Sequence, residues 1–109
     1  MSRYYKGRRF EWAVRDDLRR RGFAVFRFAG SKPVDLLACK PPKSSPQLTW
    51  LVECKSNYRK NLTRGEVKRL MEIQKMTGLK VVIAYKEGGE IRYGYLDDLA
   101  RLMEIELQP

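Results

Sequence analysis

At 109 residues the chain has room for one domain with a modest core and not for two. Its 43% apolar content is that of a globular protein. No apolar run reaches membrane-span length and MSRYYKGRRFEW lacks a signal-like apolar centre, so a soluble cytoplasmic protein is expected, with no membrane role.

The net charge of +10 is uneven: residues 1–80 hold 20 Lys and Arg against 7 Asp and Glu, and residues 81–109 hold 3 against 6. A basic body of this kind points to a polyanion, nucleic acid first. A membrane surface would call for a basic amphipathic helix with an aromatic face, and none is legible. Histidine is absent, which removes Ser-His-Asp and Cys-His catalysis and any His-ligated metal. Cys39 and Cys54 form no CxxC, so structural zinc is not expected and both read as reduced, buried thiols. Enzymatic chemistry here would fall to carboxylates, lysine and a metal ion.

The first predicted element is a helix over about 7–21, with Phe10, Val14 and Leu18 as its core-facing stripe and Gly22 as its stop. At about 100° per residue, Glu11 falls about 20° from Leu18 and about 60° from Val14, at the edge of the stripe. FAVFRF (23–28), aromatic and β-branched, predicts a strand, AGSKP a loop, and VDLLAC (34–39) a second strand. KPPKSSPQ (40–47) is a Pro- and Ser-rich connection to a third strand, LTWLVECKS (48–56). TRGE, Thr63 to Glu66, is a capping box opening a helix that carries Val67, Leu70, Met71 and Ile73 and stops near Gly78. KVVIAY (80–85) is a strand, Gly88-Gly89 a hairpin turn, IRYGYL (91–96) the returning strand, and DDLARLMEI (97–105) a short last helix. No repeat or linker interrupts this order, so 1–109 reads as one domain.

The third strand raises a question of cost. Side chains alternate across a strand, so Trp50, Val52 and Cys54 share one face and Leu51, Glu53 and Lys55 the other. Charge placed inside such a strand is costly unless it is paired or bound to something. A hairpin centred near Ser44 pairs residues whose numbers sum to about 88, which sets Asp35 opposite Glu53. Opposed carboxylates repel unless a cation lies between them, and two hard oxygen donors suit magnesium. Lys55, further along the same face, could hold a phosphate or a water beside that ion. Equally, Glu53 and Lys55 could simply pair with each other on a wet edge strand. The same register puts Cys39 and Cys54 on opposite faces, which forbids a disulfide between them.

Read together, Lys6-Gly7 with Glu11 four residues on, Gly30-Ser31 before Asp35, and Glu53-x-Lys55 form one ordered pattern. It resembles the PD-(D/E)XK nuclease superfamily and, more narrowly, the archaeal-type Holliday junction resolvases, over about residues 6–99. Val34 stands between Pro33 and Asp35, the 40–47 connection looks long and the C-terminal portion short. These departures bear on substrate geometry more than on chemistry. The resemblance implies an α/β, restriction-endonuclease-like fold in which a central mixed five-stranded sheet is flanked by helices. It implies a homodimer and magnesium-dependent phosphodiester hydrolysis, with manganese as a substitute. It makes Glu11, Asp35 and Glu53 the metal-site acids, gives Lys55 the attacking water, and puts Ser31 in a mobile catalytic loop. Two other readings stand beside it: a repair- or restriction-type nuclease with another DNA target, and a non-catalytic nucleic-acid-binding module, which would be expected to have a broken acid set.

Arg3, Lys6, Arg8, Arg9, Lys32, Arg59, Lys60 and Arg64 flank the proposed site and are the candidate phosphate contacts. Tyr4, Tyr5 and Tyr58 could stack at a junction or simply pack. One metal site cuts one strand, so resolving a four-way junction calls for two sites, most simply in a C2 dimer. The less basic region 81–103, with Tyr93, Tyr95, Leu99, Leu102 and Met103, is the expected interface, unless those residues cover the core of the single chain.

Overall fold

The computed structural model describes residues 3–40 and 48–103. Helix α1 (Arg3–Arg20) leads into β1 (Ala24–Arg27), a single turn at Ala29–Ser31, β2 (Leu36–Cys39) and β3 (Thr49–Cys54). A short helix α2 (Tyr58–Asn61) and α3 (Arg64–Thr77) then cross over to β4 (Lys80–Glu87), which turns into β5 (Glu90–Tyr95) and α4 (Leu96–Leu102). The five strands lie side by side in chain order, β3 and β4 parallel and every other pair antiparallel. This is the expected mixed five-stranded sheet, and β3 is its central strand, not an edge.

The β2–β3 register has the expected sum: Leu36 faces Val52, Leu37 faces Leu51 and Ala38 faces Trp50. Strand alternation then separates two cores. Phe10, Val14 and Leu18 of α1 pack with Val25, Leu36, Ala38 and Val52 on one face. Leu51, Val81 and Ile83 pack under Val67, Leu70, Leu96 and Leu99 on the other. Buried on both faces, β4 reads Val81–Ala84 without a polar residue, as a parallel-paired inner strand should. Gly88 and Gly89, at φ 59° and 78°, supply the two positive φ angles that a tight hairpin turn requires. Cys39 and Cys54 are both free thiols, half-buried.

Several boundaries differ from expectation. Helix α1 begins at Arg3, not near residue 7, because a glycine costs an exposed helix too little to break it. α2 is additional: Asn57 caps it by accepting a hydrogen bond from the Lys60 N–H at 3.3 Å. Its Tyr58 is buried edge-on against Tyr85, so it packs and is not available to stack on DNA. Leu99 is likewise buried, and Tyr93 packs toward α1 while Met103 packs on the α3 side, so these three serve the core of the single chain. Tyr95 and Leu102 do remain exposed. Residues 41–47 of the Pro- and Ser-rich connection, and the side chains of Arg3, Tyr4, Tyr5 and Lys6, lie outside what is described.

Tyr93 also fastens β5 to α1. Its hydroxyl donates to Asp17 Oδ2 at 2.6 Å, the Arg21 Nε donates to the same oxygen at 2.8 Å, and the Arg21 guanidinium lies over the Tyr93 ring. Burial opposes charge on Asp17, but the bonds from Tyr93 and Arg21 outweigh it and hold the carboxyl below its usual range. A folded-state pKa that is depressed contributes stability above the unfolded value and loses it as pH falls through the folded one. Tyr93→Phe is therefore expected to cost about 1–2 kcal/mol near neutral pH, with the difference shrinking below about pH 4. Urea unfolding of both proteins across that range measures it, and an equal loss at every pH would remove Asp17 from the account.

Candidate active site

The acids gather where β2 and β3 meet the loop that follows β1. That loop is closed by the Phe28 N–H donating to the Asp35 carbonyl, and by the Ser31 N–H donating to the Phe28 carbonyl. Gly30 and Ser31 both have positive φ, 66° and 55°. Glycine adopts this freely, but serine does so at some cost, and such strained residues gather at functional sites. Asp35 enters β2 with its Oδ2 accepting from the Cys54 backbone N–H at 2.8 Å. The bond pins its carboxylate to β3, one residue beyond Glu53.

Glu53 points to the α3 face and is only 6% exposed. Burial first, then the Asp35 charge and a hydrogen bond between the two side chains, push its pKa up to about 8, against the pull of Arg69 and Lys55. The two carboxyls are thus in contact, as the register required. Glu53 and Lys55 do not pair with each other. Arg69 Nη2 donates to Glu53 Oε2 at 3.0 Å and its Nη1 to the Pro33 carbonyl at 2.6 Å, while Lys55 Nζ sits 2.6 Å from Glu66 Oε2.

Glu11 approaches from the opposite face of the sheet. It is 7% exposed, a burial consistent with its place at the edge of the α1 stripe, and it pairs with the Arg27 Nε at 2.5 Å. With Asp35, Ser31, Gly30, Arg8, Arg27, Gly7 and Cys54 it lines a cleft of about 410 Å³. Cys54 feels all three acids: burial, then Asp35, Glu11 and Glu53, drive its thiol far above its ordinary range, so it stays protonated. Among the described residues no three of Asp, Glu, Cys and His stand close enough together to hold an ion. Asp35 and Glu53 are in contact, and Glu11 shares the cleft with Asp35 but is tied to Arg27. The chemistry of this donor set, hard oxygens pressed together with one carboxyl driven toward its neutral form, fits a divalent cation such as magnesium.

The basic candidates spread around this point. Arg8 lines the cleft with its guanidinium over the Trp12 ring. Arg9, Lys32, Arg59, Lys60 and Arg64 are exposed, Lys32 just after the Ser31 turn and the last three on α2 and the first turn of α3. Sequence reasoning missed Arg27, Arg69 and Glu66 as partners of the acids and lysine. Glu66 had a signal, its place in the capping box, but that role alone accounted for it.

Residues 2–107 match the archaeal Holliday junction resolvase family, Hjc. The chain is similar to the crossover junction endodeoxyribonuclease Hjc of Methanocaldococcus jannaschii, with 31% identity over 93 residues that make up 84% of this chain. The matched segment spans 66% of that relative's length. Among solved structures, the fold is similar to that of the Holliday junction resolvase Hjc of Archaeoglobus fulgidus, with a TM-score of 0.64 and 22% identity over 94% of this chain and 99% of that one.

Proposed function

The chain belongs to the archaeal Holliday junction resolvase family, and from that premise we propose that it is a structure-specific endonuclease that resolves four-way DNA junctions by metal-dependent phosphodiester hydrolysis. The observation that carries this reading is the Asp35–Glu53 contact, a buried carboxyl facing a half-buried one beneath a basic surface. A binding module would have no use for that electrostatic cost, and Glu11, Asp35, Glu53 and Lys55 are all present.

Asp35 and Glu53 would hold magnesium, with Glu11 on the cleft side. When bound, such an ion polarises the phosphodiester and lowers the pKa of attacking water. The chain's own groups do the rest. Arg8 at the cleft, with Arg9 next to it in sequence and Lys32 next to Ser31 of the cleft wall, draws the DNA backbone toward the acids, and Arg59, Lys60 and Arg64 extend the positive surface along α2 and α3. The ammonium of Lys55 orients a water or a phosphate oxygen beside the acids. Ser31, in its left-handed turn, offers a hydroxyl at the cleft wall.

Two opposed cuts need two sites, so the working unit is a C2 homodimer. Among the described residues, Leu102, Met76 and Tyr95 are large apolar side chains left exposed on α4, α3 and β5, at 72%, 81% and 41% exposure. They lie in or near the less basic C-terminal portion, where two copies repel each other least.

Cleavage of a four-way junction, with a matched linear duplex beside it and cut sites mapped, tests the reading. Paired cuts on the junction in magnesium and none in chelator are expected, with Asp35→Asn and Glu53→Gln binding the junction but cutting at least about 100-fold more slowly. Full cleavage by either variant would sink the site assignment. Junction affinity should fall steeply with salt, by about 0.9 log units per log unit for each phosphate neutralised, and Arg9→Ala should flatten that slope by about one. Sedimentation equilibrium at micromolar concentration should report a dimer that Leu102→Glu converts to monomer, because a buried unpaired charge costs an interface several kcal/mol, on the order of its whole margin.

A further inference from the structure

The E-x-K element is held from one side by a single helix. Glu66 and Arg69 stand three apart on α3, hence side by side on one face. Glu66 Oε2 meets Lys55 Nζ at 2.6 Å. Arg69 reaches further: one nitrogen donates to Glu53 Oε2 at 3.0 Å and another to the carbonyl of Pro33, two residues ahead of Asp35, at 2.6 Å. One planar guanidinium therefore ties the strand that carries one acid to the loop that carries the other. The rotation of α3 is fixed beneath these contacts by buried Val67 and Leu70. Its start is fixed by the Thr63 hydroxyl accepting from the Glu66 N–H at 3.1 Å while the Glu66 carboxylate accepts from the Thr63 N–H at 3.4 Å.

We propose that Glu66 and Arg69 are positioning residues for cleavage: Glu66 holds the Lys55 ammonium in place, and Arg69 sets Glu53 against the Asp35 loop. This rests on the reading of Asp35, Glu53 and Lys55 as the cleavage site. Partly exposed ion pairs contribute little to folding, so two of them on one helix face against this element point to orientation. Groups that hydrogen-bond a metal-binding carboxylate set its direction, and their loss costs about 10- to 100-fold in activity or metal affinity.

Three variants separate positioning from folding. Glu66→Gln keeps an acceptor for the capping box but drops the charge that holds Lys55. Arg69→Lys keeps the positive charge but offers a compact ammonium in place of a fork that bridges two acceptors. Thr63→Ala weakens the cap; its hydroxyl reaches only the Glu66 oxygen that does not meet Lys55, so the variant leaves the Lys55–Glu66 and Arg69–Glu53 contacts themselves in place. Single-turnover cleavage of a saturating four-way junction should be about 10- to 100-fold slower in Glu66→Gln and in Arg69→Lys, with junction binding in chelator and the melting temperature unchanged. Thr63→Ala should melt lower yet cleave at the wild-type rate below its transition. Calorimetric titration with manganese should show a similar loss of affinity in Arg69→Lys. Wild-type rates in both variants while Lys55→Ala is slow would overturn the proposal. So would a Thr63→Ala protein as slow as Glu66→Gln, since the effect would then be one of helix stability. A wild-type rate in Lys55→Ala would instead overturn the reading of the site beneath it.

Discussion

Two carboxylates in contact at the ends of neighbouring strands are the constraint to which the rest of the structure answers. Left alone, Asp35 and Glu53 would push the strands apart or force one carboxyl neutral. Each is instead given something to bond: Asp35 the Cys54 N–H, and Glu53 the Arg69 guanidinium. Both partners stand on packed elements, although the Arg69 side chain itself is exposed. The N–H belongs to the central strand, and Arg69 stands on a helix whose buried face is Val67 and Leu70. Two apolar clusters, one on each face of the sheet, supply the burial that keeps the strands at this separation despite the repulsion.

The same constraint explains why basic residues are placed as they are. Arg27 answers Glu11, Arg69 answers Glu53, and Glu66 answers Lys55, so three of the site's four charged residues are each matched by an opposite charge. Arg9, Lys32, Arg59, Lys60 and Arg64 are exposed beyond this inner ring. An inner layer of matched charge can hold geometry, while an outer layer of excess positive charge gathers counterions to be released to a polyanion. The two layers use the same residue types and differ only in what lies within reach.

Much of this was legible in the chain. The Asp35–Glu53 opposition followed from strand alternation and a hairpin centre, both local rules, and the observed register keeps it. The α3 start followed from Thr63 and Glu66, and the last hairpin from Gly88-Gly89. The partners of the site did not follow. Arg69 lies 16 residues after Glu53, and nothing in that spacing says which way α3 is rotated over the sheet. Tyr93 and Leu99 looked like exposed apolar material because a single strand and a short helix do not reveal what covers them; Asp17, 76 positions away, and the packing of α4 decide that. A capping box likewise read as a complete explanation of Glu66, although its second oxygen is the one that meets Lys55.

Topology accounts for what spacing could not. β3 and β4 run parallel, so the chain must leave the end of β3, cross one face of the sheet and return to the start of β4. Glu53 and Lys55 sit at the end of β3, on the face that α3 covers. The return path begins at that end, which brings the first turns of α3 over the E-x-K element and its later turns over the apolar middle of the sheet. Polar residues early in the helix, Glu66 and Arg69, then meet polar residues at the strand end. Leu70 and, through its neighbours, the rest of the buried stripe meet Leu51, Val81 and Ile83. A parallel crossover placed directly after an E-x-K strand thus provides, in one stroke, a helix able to orient both of its charged side chains.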